Sequence, residues 1–132
     1  MLRRILVTSD GSERAGRAVA FAADLAGRYG AELTVLHVRV GDNVVPQRDL
    51  DKQAAAAGAT VAVVEDSAPA EAICRHAEEN GCDAIVLGNY GMSDRKQFLL
   101  GNVPNRVSHQ AQCTVIIVDT RDPKERKRHR GR

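Results

Sequence analysis

The residues best suited to binding chemistry form one stretch, GNYGMSDRKQFLLGN, which runs from Gly88 to Asn102. Gly88 and Gly91 follow an apolar run directly, and Gly101 precedes a predicted helix. Glycine lets backbone N–H groups turn towards an anion, and the free N–H groups at a helix start favour negative charge. The spacing therefore predicts two anion-binding corners around one phosphate chain. A loop with glycine hinges is the alternative interpretation.

A second candidate is Asp10, in the sequence TSDGS that follows the first apolar run. A carboxylate at the tip of a strand, next to a helix start, can accept hydrogen bonds from a ribose or hold a metal-bound phosphate. It can also bond the backbone amides of its own turn. The residues alone leave both roles open.

Two other phosphate chemistries are excluded by the residues present. A P-loop that began at Gly11 and Gly16 would continue with Lys and then Ser or Thr, whereas this chain has Arg17 and Ala18. Gly16 is therefore predicted to be a close-packing position in a helix. A response-regulator receiver needs two acidic residues after its first strand and a lysine after its fifth. After its first predicted strand this chain has one acidic residue, Asp10. Its fifth predicted strand and the residues after it, VIIVDTRD, contain no lysine.

Apolar patterning and turn residues predict strands that alternate with helices. The predicted strands are 5–8, 32–38, 60–65, 83–88 and 113–119. The predicted helices are 13–29, 47–57, a third from about Pro69 to Gly81, and a fourth that Asn102 caps and that runs to about 110. Ser12 is predicted to cap the first helix, and Gly30 to end it.

This alternation predicts one doubly wound α/β domain with a parallel sheet and helices on both faces. In such sheets the ligand binds at the carboxyl ends of the strands, where the strand order reverses. The two turns indicated are Thr8–Ser12, after the first strand, and Gly88–Gly91, after the fourth. The candidate residues named above lie in these same two turns.

Charge divides the chain into two parts. Residues 1–120 hold 12 Lys or Arg and 15 Asp or Glu, a net charge of −3, whereas residues 121–132 hold 7 and 2, a net charge of +5. The last segment has no apolar residue to bury, so we predict a domain over 1–120 and a disordered basic tail over 121–132. A solvated terminus and a weak electrostatic arm for nucleic acid or anionic membrane are the two interpretations of the tail.

The cysteines and histidines predict no metal site. Cys74, Cys82 and Cys113 are odd in number and lack C-x-x-C spacing, which is typical of reduced thiols in a cytoplasmic protein. No signal peptide and no apolar run of about 18 residues is present, so we expect no membrane span. His37 is predicted to be a packing or hydrogen-bonding residue. No catalytic constellation is visible, and slow ATP hydrolysis is left open.

The chain resembles the universal stress protein family over residues 3–119. The sequence RRILVTSDGSERAGRAVAFAADLAGRYGAELTVLHV is similar to the family's first strand, helix and second strand, and APAEAICRHAEENGCDAIVLGNYG to its third helix and fourth strand. The most specific element is the nucleotide motif G-x2-G-x9-G-[ST]. Gly88, Gly91 and Gly101 match it, and Asn102 stands where the motif has Ser or Thr. The resemblance implies a five-stranded parallel sheet in the order 3-2-1-4-5.

The resemblance also implies an adenine-nucleotide-binding regulator of the stress response, with ATP and Mg²⁺, or cyclic AMP, as the ligand. Carried over by position, the nucleotide contacts fall on Thr8, Ser9, Asp10, Val38, Gly88, Gly91, Gly101 and Asn102. Asn102 can cap a helix and donate to a phosphate, but it lacks the hydroxyl that suits Mg²⁺. A nucleotide-free dimeric scaffold is the alternative, since some members bind no nucleotide.

Family members commonly dimerise through their last strands, which in this chain implies a homodimer through Cys113 to Asp119. An apolar edge strand without a partner is an aggregation hazard, so a second copy is physically sensible there. Cover by the C-terminal tail is the alternative.

Overall fold

The computed structural model describes residues 1–42, 45–89 and 102–124. The strands in these ranges are β1 (Arg4–Thr8), β2 (Glu32–Arg39), β3 (Thr60–Glu65), β4 (Ala84–Gly88) and β5 (Thr114–Val118). The helices are α1 (Glu13–Tyr29), α2 (Gln47–Ala57), α3 (Pro69–Glu79) and α4 (Asn102–Gln110). In the described ranges, no helix combines the length and the apolar character that crossing a membrane requires.

All five strands pair in parallel, in the order β3-β2-β1-β4-β5. This order confirms the predicted fold class. From β1 the chain adds β2 and then β3 on one side, and α3 then carries it back to β4 on the other side of β1, with β5 outside β4. The strand order reverses between β1 and β4, so the carboxyl ends of these two strands are the place where a sheet of this kind is expected to bind a ligand.

Each face of the sheet carries an apolar core, because successive side chains of a strand point to opposite sides. Ile5 and Val7 of β1 pack with α1 and α2, which form the α1/α2 face. Leu6 packs with α3 and α4, which form the α3/α4 face. The two aromatic residues of the described ranges, Phe21 and Tyr29, are about half exposed, so aliphatic side chains build both cores.

The ends of α1 carry the residues predicted for them. The Oγ atom of Ser12 accepts a hydrogen bond from the N–H of Ala15 at 3.1 Å. Gly30 ends the helix with a φ of 66°, a left-handed conformation that suits glycine. These two caps fix where the β1–α1 turn stops and where α1 meets β2.

The ends of α3 and α4 differ slightly from the prediction. The last helical residue of α3 is Glu79, because Asn80 takes the cap position and Gly81, with a φ of 64°, reverses the chain after it. Asn102 is the first helical residue of α4 rather than a capping residue outside the helix.

Candidate functional site

The candidate site is the edge formed by the carboxyl ends of β1 and β4, which pair side by side through Val7 and Val86. We call residues 8–12, the last residue of β1 and the turn after it, the β1 corner. We call residues 88–89 and 119–121, where β4 and β5 end, the β4/β5 corner. Thr8, Ser9 and Asp10 lie in the first corner and Gly88 in the second, so four of the predicted residues share one edge of the sheet.

Asp10 orders the start of α1 with one oxygen of its carboxylate. Its Oδ1 atom accepts a hydrogen bond from the N–H of Ser12 at 2.9 Å. Its Oδ2 atom has no donor among the residues that the structure describes, and the side chain is half-buried. The backbone role that the sequence left open is therefore present, and one oxygen is left for a ligand.

Ser9 has a protein partner for each of its polar groups. Its N–H donates to the carbonyl of Leu36 at 3.0 Å, and its hydroxyl donates to Oε1 of Gln53 in α2 at 2.5 Å. The same hydroxyl oxygen accepts from the N–H of Gly11 at 2.9 Å. Ser9 is only 3% exposed. Its part in nucleotide contact stays a prediction, and its side chain ties the turn to α2.

His37 supports the same corner from β2. Its Nδ1 atom lies 3.0 Å from the carbonyl oxygen of Ser9. A carbonyl can only accept, so this nitrogen carries the proton. The Nε2 atom is buried and has no hydrogen-bond partner in the described part of the chain. The histidine is 4% exposed, which confirms the prediction of a packing and hydrogen-bonding role.

Val38 lies beyond the point where β2 leaves β1. The pairing of these strands ends at Thr8 and Leu36, whereas Val38 still pairs with Val64 of β3. The Val38 side chain is buried in the core of the α3/α4 face. The side chain is therefore not available to a ligand, and the backbone contact that the family resemblance implies stays a prediction.

Gly88 has a packing reason to be glycine. A Cβ atom added to it would lie 2.8 Å from Cγ2 of Thr120. Cβ atoms in real proteins essentially never come this close to another heavy atom. Thr120 follows β5 and is 1% exposed, so it has little room to move. This close approach accounts for the glycine without any phosphate, and it adds to the role predicted from the sequence.

Asn89 joins the end of β4 to the end of β5. Its Oδ1 atom accepts from the N–H of Thr120 at 2.9 Å and from the Thr120 hydroxyl at 3.2 Å. Its Nδ2 group donates to Oδ1 of Asp119 at 3.2 Å. One amide side chain thus holds two residues of the neighbouring strand end.

A charged pair completes the β4/β5 corner. The Arg121 side chain donates to both oxygens of Asp119, from Nε at 2.9 Å and from Nη2 at 2.8 Å. These hydrogen bonds hold the pKa of Asp119 well below its usual range. Arg17 of α1 donates to the Thr120 carbonyl at 2.6 Å, which ties the helix to the same corner.

The remaining predicted residues complete the edge only in part. Asn102 is exposed at the start of α4. Gly91 and Gly101 lie outside the described residues. The phosphate site that the sequence predicts between Gly88–Gly91 and Gly101–Asn102 therefore stays a prediction. Within the described ranges, no three His, Cys, Asp or Glu side chains are grouped to hold a metal ion.

The three cysteines belong to the packing of the α3/α4 face. Cys74, Cys82 and Cys113 are free thiols against its core. Burial is the main cause that raises the pKa of each thiol above its ordinary value. They are therefore protonated at neutral pH and lack the thiolate character of reactive cysteines.

Comparison with known proteins agrees with this architecture. The model of the universal stress protein family matches residues 1–62 and 46–119. The chain belongs to the universal stress protein family. The universal stress protein YxiE of Bacillus subtilis is 31% identical over 147 residues, which cover 89% of this chain and 99% of YxiE. A universal stress protein of Thermus aquaticus is 31% identical over 136 residues, with 89% and 99% coverage.

A solved structure of a universal stress protein in complex with cAMP has the same fold. It superposes with a TM-score of 0.74 at 31% sequence identity, and the match covers 91% of this chain and 98% of the other. That protein holds its nucleotide on a fold that this member of the family shares almost end to end.

Three residues that organise the carboxyl ends of the strands in this universal stress protein were not predicted from the sequence. Gln53, Asn89 and Thr120 each bond a partner at least 30 positions away. Asn89 stands inside the G-x2-G spacing, and Thr120 follows the last apolar run, so position gave a weak signal for these two. Nothing local to α2 marked Gln53.

Proposed function

We propose that this universal stress protein binds an adenine nucleotide, cyclic AMP or ATP, at the carboxyl edge of the sheet and acts as a regulator in the stress response. The observation that carries the proposal is the 31% identical structure in complex with cAMP, which aligns with 91% of this chain. The reversal of strand order between β1 and β4, where sheets of this kind bind ligands, supports it independently.

In this proposal the adenosine part and the phosphate part of the nucleotide contact different residues. Asp10 accepts hydrogen bonds from the ribose through Oδ2, with Thr8 and Ser9 shaping the turn. The backbone of Val38 meets the adenine. Gly88, with Gly91, Gly101 and Asn102, holds the phosphate groups. The exposed start of α4 supports the phosphate assignment, because its first N–H groups have no partner within the helix.

The residues fit a nucleotide phosphate better than a tightly held Mg²⁺. Asn102 has an amide where the family motif has a hydroxyl, and an amide can donate to a phosphate oxygen. The carboxylate of Asp10 is the one charged ligand that residues 8–12 of the β1 corner offer to a cation. We therefore expect cyclic AMP to compete well with ATP and Mg²⁺ for this site.

Calorimetric titration of nucleotide-stripped protein tests the proposal. Cyclic AMP, or ATP with Mg²⁺, is expected to bind in the micromolar range, about −8 kcal/mol. Absence of both heat and thermal stabilisation at millimolar ligand would contradict nucleotide binding. The nucleotide-free scaffold would then be the better hypothesis.

Asp10→Asn is the sharper test of the site. It keeps the oxygen that bonds Ser12 and removes the charge, so α1 is expected to stay intact while nucleotide affinity falls. Asp51→Asn on the exposed face of α2 is the matched control. Equal affinity in Asp10→Asn and in the wild type would remove Asp10 from the site.

We also propose a homodimer through β5, formed by two copies of residues 113–119. β5 is an edge strand, and its Ile117 is 46% exposed. Sedimentation is expected to give a dimer mass for the wild type and a monomer mass for Ile117→Lys, because a charge would be buried at the contact. A wild-type monomer at high concentration would contradict the dimer.

The three free thiols favour a cytoplasmic location.

A further inference from the structure

Gln53 of helix α2 makes two side-chain hydrogen bonds to the β1 corner. Its Oε1 atom accepts from the Ser9 hydroxyl at 2.5 Å, and its Nε2 group donates to the Ser12 carbonyl at 2.9 Å. A primary amide offers one acceptor and two donors, so Gln53 can satisfy both partners at once. Two hydrogen bonds with Gln53 of α2 therefore hold the β1 corner.

The two anchored residues stand on either side of Asp10. Ser9 precedes it, and Ser12 follows it by two positions. The Ser12 N–H donates to Oδ1 of Asp10, while the Ser12 carbonyl accepts from Gln53. A continuous path of hydrogen bonds thus runs from the Gln53 amide through one residue to the Asp10 carboxylate.

Two glycines let α2 come this close. A Cβ atom on Gly16 of α1 would lie 3.2 Å from Nε2 of Gln53. A Cβ atom on Gly11 would lie 3.1 Å from Cβ of Asp49 and 3.2 Å from Cγ1 of Val45. These glycines have the spacing of an incomplete P-loop, and the structure explains both by the approach of α2 and the residues before it.

We infer that Gln53 is a positioning residue of the nucleotide site, which sets the direction of the Asp10 carboxylate by holding Ser12. The inference rests on the proposed function. Partners that orient a ligand-contacting group commonly change affinity by about 10- to 100-fold at metal sites. Misplacing Asp10 is expected to weaken nucleotide binding by about tenfold.

The alternative is that Gln53 only stabilises the packing of α2 against α1. Both roles lower stability when the side chain is changed, so stability cannot separate them. Only the positioning role makes the effect on affinity depend on Asp10. A double-mutant cycle between the two residues therefore distinguishes them.

The experiment measures cyclic AMP and ATP affinity by calorimetry, at a temperature where circular dichroism shows every variant to be folded. Gln53→Met keeps the length of the side chain and removes both hydrogen bonds. Gln53→Glu keeps an acceptor for Ser9 and removes the donor to Ser12. Gln47→Ala, at the exposed start of α2, is the control and is expected to bind like the wild type.

The positioning role is supported if both Gln53 variants bind about tenfold more weakly and Gln53→Met has little further effect in the Asp10→Asn background. It is overturned if Gln53→Glu binds like the wild type, or if the two losses are additive. If the wild type itself binds neither nucleotide, the proposed function fails and this inference falls with it. If the wild type binds and the Gln53 variants match it, only the inference fails.

Discussion

The β1 corner is held by neutral groups, whereas the β4/β5 corner is held partly by a charged pair. At the first, the Gln53 amide bonds the Ser9 hydroxyl and a backbone carbonyl. At the second, the Asn89 amide bonds Thr120 and Asp119, and Arg121 engages both oxygens of Asp119. The two corners use the same kind of amide bridge in different electrostatic settings.

This difference separates the tasks of two aspartates on one edge. Asp119 has its charge matched by Arg121 and both oxygens occupied, so it serves the structure. Asp10 has one oxygen without a donor among the described residues. Because Gln53 of α2 bonds Ser9 and Ser12 rather than Asp10, the second oxygen of Asp10 is left for the ligand that we propose. The following predictions test this separation.

Replacement of Gly88 by valine is expected to have the largest effect on stability. The new side chain would meet Cγ2 of Thr120, and overpacking of this kind costs about 3 kcal/mol. Urea unfolding measures the change in the free energy of unfolding. Loss of nucleotide affinity in this variant would report the clash as well as any phosphate contact.

A gentler pair isolates the clash. Thr120→Ser removes the methyl group and keeps the hydroxyl that bonds Asn89. Gly88→Ala is expected to cost less stability in the Thr120→Ser background than in the wild type. An equal cost in both backgrounds would show that Thr120 is not the reason for the glycine.

Gly11→Ala is expected to destabilise the β1 corner by about 2 kcal/mol, because it adds overpacking to a left-handed backbone. Gly11 has a φ of 81°, and a Cβ atom there would press on α2. Thermal and urea unfolding would measure the loss. Gly27→Ala is the matched control: nothing lies near its Cβ position, so the helix is expected to gain about 0.5–1 kcal/mol. Effects of the same sign at both positions would contradict this account.

Asn89→Ala is expected to cost about 1–2 kcal/mol, since it leaves the buried Thr120 N–H without its acceptor. The free energy of unfolding measures the loss. Asn105→Ala, on the exposed surface of α4, is the control and is expected to change stability little. A loss no larger than the control's would mean that the bridge between β4 and β5 is not needed to hold the corner.

The smallest effect is the pH dependence that distinguishes the corners. The folded state lowers the pKa of Asp119, so its stabilisation is present above the unfolded value of about 3.9 and is lost as pH falls below it. The stability difference between wild type and Asp119→Asn should therefore be constant from neutral pH to about pH 5 and shrink as pH falls from there towards about pH 2. The difference for Gln53→Met should stay constant, because that contact is neutral.

Urea titrations at each pH measure both differences. Asp83 has a lowered pKa at the opposite edge of the sheet, where it accepts from the N–H groups of Arg3 and Arg4. The stabilisation by Asp83 falls with decreasing pH in the wild type and in both variants alike. It therefore cancels when each variant is compared with the wild type. A constant difference for Asp119→Asn would argue against the charged pair as a stabilising contact.

Local pattern predicted the elements closely. The bounds of α1 and α2 agree with the sequence analysis, and β5 lies within the predicted 113–119. The prediction for Gly16 as a close-packing position is confirmed, because Nε2 of Gln53 lies 3.2 Å from where a Cβ atom of residue 16 would be. The interpretation of Gly88 was incomplete, because the sequence does not show that Thr120 lies beside it.

By itself, the sequence determined the α/β class, the elements and the edge at which to look for a site. Periodicity, caps and turn residues act among near neighbours in the chain, so they can be seen without a structure. Only the tertiary structure decided which side chains meet on that edge. Gln53 is 44 positions from Ser9, and Asn89 is 31 from Thr120. Such contacts depend on how the helices and strand ends pack on the finished sheet, and no local pattern encodes them.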